Sequence, residues 1–102
     1  MSDEMNKPQE MLVMVGRKWF DKVNGNSYFT ARAYFKNESY EHEYEYGYGD
    51  QYKYEMMKRL DKAGVLPVPF TDKDVPWSYC ERNGIKLFCE DIYVGRKKDL
   101  HG

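Results

Sequence analysis

The stretch YFTARAYFKNESYEHEYEY, Tyr28 to Tyr46, decides the fold. It reads as two strands with a tight turn at KNES (36–39) between them. Alternation with a period of two marks a half-buried strand. If Asn37-Glu38 is a two-residue loop, Phe35 faces Tyr40, Ala33 faces His42, Ala31 faces Tyr44 and Phe29 faces Tyr46. On the other face Tyr34 meets Glu41, Arg32 meets Glu43 and Thr30 meets Glu45. One face is then aromatic and alanine, and the other opposes charges of opposite sign. Cross-strand pairs of this kind stabilise a sheet by about 0.2–1 kcal/mol each. A one-residue slip would bury the glutamates, so this register is favoured. It sends Tyr40, Tyr44 and Tyr46 to the core and leaves Glu41, Glu43 and Glu45 in solvent.

Upstream, MLVMV (11–15) is short, apolar and valine-containing, and it continues as GRKWF to Phe20, predicting a first strand. Asn24-Gly25 is a strong hairpin signal, because both residues accept positive φ. A two-residue turn there points Lys18 at the core face, and a three-residue loop points Arg17 there instead. Residues 1–10 are polar and read as a flexible tail. Downstream, GYGD (47–50) breaks the third strand, and Asp50 is a suitable helix N-cap. Tyr52, Met56, Leu60 and Ala63 recur at helical spacing, and Gly64 stops that helix. Phe29, Ala31, Ala33, Phe35, Tyr44 and Tyr46 are expected to face it. A Pro-rich connection leads to DVPWSYCERNG (74–84), a short second helix with Pro76 in its first turn. IKLFCEDIYV (85–94) is a last strand, and GRKKDLHG closes the chain. The order β-β-β-α-α-β predicts an α+β fold: an antiparallel sheet of three to four strands with helices packed on one face. A single domain over 11–95 is expected, followed by a basic C-terminal tail at 96–102.

The composition narrows the function. The chain has 102 residues and a formal net charge of −1, with a pI near 6.1. That balance disfavours a non-specific nucleic-acid binder, which relies on a basic excess. No apolar run approaches the length of a membrane span, and the polar N-terminus lacks a signal peptide's apolar segment. Cys80 and Cys89 do not make a secreted disulfide framework, so free thiols in a reducing cytoplasm are expected.

Catalytic chemistry is sparse. There is no phosphate-binding or dinucleotide loop motif. Gly47-Tyr48-Gly49 could offer backbone N–H groups to an anion, yet Asp50 at the same helix end would repel a phosphate. Cys80, Cys89, His42 and His101 are donors without a close C-x-x-C pair, which reads as two packed cysteines rather than a metal site. A Cys80 nucleophile with His42 as base has no support from spacing. No catalytic residue, cofactor or metal is expected. Contact residues are a better fit. Asn26, Tyr28, Arg32 and Tyr34 lie at and beyond a hairpin tip, where binding groups concentrate. Tyr48 in the Gly47–Gly49 turn and Arg96, Lys97 and Lys98 in the tail join them as candidates. The competing reading is a solvated sheet face and a solvated tail.

GNSYFTAR (25–32), YGYGDQY (46–52) and terminal GRKKDL (95–100) together resemble a group of small uncharacterised phage and prophage proteins. The resemblance covers most of the chain after residue 15 and brings no catalytic residues with it. It implies an accessory gene of a mobile element, expressed in a bacterial cytoplasm. The expectation is a non-catalytic binding module that engages a bacterial host or defence-system protein. The alternatives are a nucleic-acid-binding accessory protein and a small nucleotide-binding protein or enzyme centred on Gly47–Asp50. No membrane partner is expected.

Overall fold

The computed structural model describes residues 10–101. The tail expected over residues 1–10 lies outside them except for Glu10. Four strands, β1 (Glu10–Asp21), β2 (Asn26–Phe35), β3 (Glu38–Tyr46) and β4 (Ile85–Tyr93), form one sheet in the order β3-β2-β1-β4. Two helices, α1 (Gln51–Lys62) and α2 (Pro76–Arg82), fall between β3 and β4. The chain is therefore α+β, with the element order read from the sequence. β1–β2 and β2–β3 are antiparallel. β4 arrives by the helical crossover and pairs in parallel with β1, Leu12 beside Leu87 and Gly16 beside Asp91. A parallel neighbour needs such a long crossover, since a tight turn can only reverse the chain.

The turn between β2 and β3 is Lys36-Asn37, with φ of 52° and 66°. Both residues sit in the left-handed region that a two-residue hairpin loop demands. Lys36 reaches from there to donate to the Val65 carbonyl at 3.2 Å. The loop lies one residue earlier than Asn37-Glu38, so every cross-strand pair moves by two and the faces are kept at first. Ala33 faces Tyr40, Ala31 faces His42, and Arg32 meets Glu41 rather than Glu43.

Past His42 the expected pattern fails. Phe29 pairs with Glu45, not with the residue before it, so β3 carries one extra residue opposite Thr30. This is a β-bulge, and it reverses the parity of the strand residues beyond it. Tyr44 and Tyr46 turn away from the helices and are exposed, whereas Glu45 turns in and is half-buried. The core placement of Tyr44 and Tyr46 is thus corrected, while Phe29, Ala31, Ala33 and Phe35 are buried as expected.

The first hairpin has a four-residue loop, Lys22 to Gly25, closed by the Asp21 and Asn26 pair. Gly25 takes the positive φ and donates to the Asp21 carbonyl at 2.7 Å. This loop has the parity of the two-residue alternative, and Lys18 faces the helix side. Lys18 survives there through an ion pair to Asp91 at 3.2 Å.

The core lies between the sheet and the helices. Leu12, Met14, Phe29, Ala31, Ala33 and Phe35 meet Tyr52, Met56, Met57 and Leu60 of α1, with Tyr79 and Cys80 of α2 beside them. Ala63, expected on the α1 stripe, is exposed past the helix end, and Met57 takes a place in the core. Each large apolar side chain removed from water contributes about 1.5–3 kcal/mol. Asp50 stands at the α1 N-cap position without a capping side-chain bond; its carboxylate pairs with Lys53 at 2.9 Å. The Pro-rich connection is pinned at two points. Tyr79 donates its hydroxyl to the Val68 carbonyl, and Asp61 accepts from the Phe70 amide at 3.2 Å.

Tyr52 fixes α1 against the sheet. Its ring is fully buried on Gly16, and its hydroxyl donates to Asp91 at 2.6 Å. A Cβ at Gly16 would sit 2.8 Å from the ring. Burial raises the Tyr52 hydroxyl far above its ordinary range, and Asp91 adds to this. Burial works against the Asp91 carboxylate, but the Tyr52 hydroxyl and Lys18 outweigh it and hold the group below its ordinary value.

This cluster generates two expected outcomes. Gly16→Ala should destabilise the fold by about 1–3 kcal/mol, because the added carbon meets a ring held at both ends; urea unfolding of both proteins measures it. The depressed Asp91 carboxyl contributes stability that is present above its unfolded value, near pH 4, and is lost as pH falls through its lower folded value. Acid titration of stability should therefore show a smaller loss across that window in Asp91→Asn than in the native chain.

Candidate functional site

The face of the sheet away from the helices carries a continuous run of aromatic rings. Trp19 of β1 stacks on Tyr28 of β2 with centroids 5.8 Å apart. Tyr28 stacks on Tyr44 of β3 at 4.9 Å and meets Tyr46 edge-on at 5.7 Å. Tyr46 in turn meets Tyr48 edge-on at 5.4 Å, with their hydroxyls 2.9 Å apart. Lys97 lies over Tyr44, its Nζ 5.0 Å from the ring centroid. The strands fix this order. Trp19 and Tyr28 are direct partners across β1–β2, as are Tyr28 and Tyr46 across β2–β3. The bulge is what adds Tyr44 to the same side. Aromatic pairs in these geometries are worth about 0.5–1.5 kcal/mol beyond burial, so the rings hold one another in place. Tyr46 and Tyr48 are each about half exposed, at 47% and 53%. That is the condition for contacting something else.

Beside the ladder the outer face forms a groove of about 590 Å³. Its walls mix Arg17 and Arg32 with Glu41, Glu43 and Glu90. Arg32 pairs with Glu41 at 2.5 Å. Both side chains are well exposed, so the pair contributes little to stability. One end is closed by the C-terminal segment that reads as a basic tail in the sequence. Lys97–His101 is a 3₁₀ turn folded onto the sheet. Leu100 is fully buried there, and the Thr30 hydroxyl donates to its carbonyl.

The sequence-predicted contact residues fall into three places. Tyr28, Tyr48 and Lys97 belong to the ladder. Arg32 and Tyr34 lie farther along β2 and line the groove. Asn26 is at the base of the first hairpin opposite Asp21, Arg96 pairs with Asp99 at 3.2 Å, and Lys98 is exposed in the 3₁₀ turn. Sequence reasoning missed Trp19, Tyr44, Tyr46 and Leu100. For Tyr44 and Tyr46 the sequence held no signal: the EYEY run alternates in either parity, and the inward Glu45 is acceptable only because Gln51 and His42 meet it in the fold.

The Gly47–Asp50 turn is already committed to structure. Gly47 is buried, and its amide donates to the Ser27 carbonyl at 3.0 Å. Cys80 is buried, which pushes its thiol up to about 11 and keeps it protonated at neutral pH. His42 is grouped with Glu45 and Glu55, not with a cysteine. Among the described residues, no helix is long and apolar enough to cross a membrane. No family model, curated protein or solved structure matches the chain.

The 3₁₀ turn carries two residues that trypsin recognises, Lys97 and Lys98, and Arg96 directly precedes it, so its docking can be read by proteolysis. The native chain should resist cleavage at Arg96, Lys97 and Lys98. Leu100→Ala, which removes the buried anchor, should be cut there at least about tenfold faster, since locally opened segments are cleaved in proportion to their open population. Equal rates for the two proteins would mean that Leu100 does not hold the turn.

Proposed function

We propose that the protein is a non-catalytic binding module that engages another protein through the outer face of its sheet. The observation that carries this reading is the ring cluster in which Tyr28 stacks on Trp19 and Tyr44 and leads through Tyr46 to Tyr48, a preorganised aromatic surface with Tyr44, Tyr46 and Tyr48 open to solvent. Tyrosine and tryptophan dominate binding hot spots because rigid rings offer large contact area at low entropic cost. The neighbouring charges alternate in sign. Arg17 and Arg32 sit among Glu41, Glu43 and Glu90. Such a rim suits a protein surface, which is itself mixed, and sets association rate and specificity. The resemblance to small phage and prophage proteins supports a bacterial host or defence-system protein as the partner, met in the bacterial cytoplasm.

A second reading has one specific observation behind it. Aromatic rings on an open sheet stack on bases, and Lys97 over Tyr44 could meet a phosphate. The three glutamates of the groove weigh against it, because they repel a phosphate backbone.

The test begins with the full chain as bait in a bacterial lysate, with bound proteins identified by mass spectrometry. Affinity for the captured protein is then compared with that of Tyr44→Ala/Tyr46→Ala/Tyr48→Ala, after circular dichroism confirms an unchanged fold. Removal of the exposed rings should weaken binding by about 30-fold or more, the 2 kcal/mol of a hot spot. Unchanged affinity rules the ladder out as the contact surface. Binding to single-stranded DNA that falls roughly a thousandfold between 50 and 200 mM salt assigns the surface to nucleic acid instead.

A further inference from the structure

On the opposite face of the sheet, independent of the ladder and its partner, the bulge in β3 creates a second feature. By turning Glu45 toward the helices it sets three donors together. The Nδ1 or Nε2 of His42 and one carboxylate oxygen each from Glu45 and Glu55 lie within 4.8 Å of one another. We propose that His42, Glu45 and Glu55 form a binding site for one divalent transition-metal ion of the zinc class.

The donor set fits that ion. An imidazole nitrogen with two carboxylates is taken by zinc and its first-row neighbours, whereas calcium and magnesium prefer oxygen alone. Zinc bonds to these donors are about 2.0–2.2 Å long, which puts the ligand atoms of a tetrahedral set roughly 3.3 Å apart. His42 Nε2 and Glu45 Oε1 are now 2.5 Å apart. An ion between them needs that pair to open by roughly 0.8 Å and Glu55 to close in by up to about 1.5 Å. Side-chain rotation provides both.

The donors are also aimed. The His42 ring is stacked on Phe29 at 5.6 Å, which fixes the direction of its nitrogens. Gln51 donates to the other oxygen of Glu45 at 3.0 Å and leaves Oε1 for the ion. Such outer contacts set ligand orientation in metal centres. The electrostatics run the same way. Two carboxylates are held close together in a half-buried place, an unfavourable arrangement for like charges. The lysine beside Glu55 is Lys58, at 3.6 Å and on an exposed side chain. A dication relieves the repulsion more fully than that distant ammonium. Three protein ligands leave a fourth position for water, and solvent reaches all three side chains. The ion would tie edge strand β3 to α1.

The test uses the full chain, stripped with a chelator, and zinc chloride alone. Calorimetric titration should give one equivalent with a dissociation constant of about 10 µM or tighter. Melting should rise by roughly 10 °C or more at a hundredfold excess over that constant. His42→Ala and Glu55→Gln should each weaken binding at least about tenfold, while Cys89→Ser and His101→Ala leave it unchanged. Absence of saturable binding up to about 1 mM overturns the site, as does affinity that survives both His42→Ala and Glu55→Gln. If those variants do not fold, cobalt absorption of the native chain decides. A nitrogen–oxygen ligand field supports the site, and a thiolate charge-transfer band places the ion on a cysteine and refutes it.

Discussion

One extra residue in β3 governs both faces of this molecule. Without it, strict alternation would carry Tyr44 and Tyr46 under α1 and leave Glu45 in water. With it, the side chains beyond His42 exchange sides. The sheet loses two large rings from its core and gains a carboxylate there, a poor exchange by burial alone. It is tolerable because Ala31 and Ala33 let the helix lie close, and because Tyr52, Met56, Met57 and Leu60 already fill the space. Glu45 is also met by hydrogen bonds from Gln51 and His42. Bulges that re-aim side chains in this way concentrate near functional surfaces.

The helix side of the sheet depends on a different close fit. Gly16 lets the Tyr52 ring rest directly on the β1 backbone, and the Asp91 carboxylate receives its hydroxyl from β4. Lys18 completes the group by pairing with Asp91 and lying 5.3 Å from the Tyr52 centroid. One aromatic residue at the start of α1 thus ties the helix to β1 and β4 together. The outer face can be left open because its opposite side is so firmly fixed.

Much of this was legible in the residues. A short apolar run located β1, period-two alternation located β2 and β3, Gly64 and Gly84 marked the helix ends, and Pro76 marked the start of α2. Registers were less legible, since they depend on turns. Lys36 is an uncommon residue at positive φ, and a bond from its own ammonium to Val65 supports it only after the connection has folded. The bulge was invisible because EYEY alternates in a way that satisfies either parity. The ladder was half legible: Tyr28, Tyr48 and Lys97 stood out by type, while Trp19 and Tyr46 qualify only through cross-strand pairing. Leu100 gave no signal, since one leucine among basic residues reads as part of a solvated segment until its slot on the sheet exists.

The parallel pairing of β1 with β4 bears on how the chain reaches this state. The three-stranded meander consists of local hairpins and can form as soon as it is synthesised. β1 gains its second neighbour only when Ile85–Tyr93 has left the ribosome. Until then one side of β1 is an open edge, with backbone groups free to pair with another chain. Closure across most of the sequence is slow relative to hairpin formation. The interval between synthesis of Asn26 and of Ile85 is therefore the period in which nascent copies are most prone to associate, and a chain cut short before β4 never leaves it.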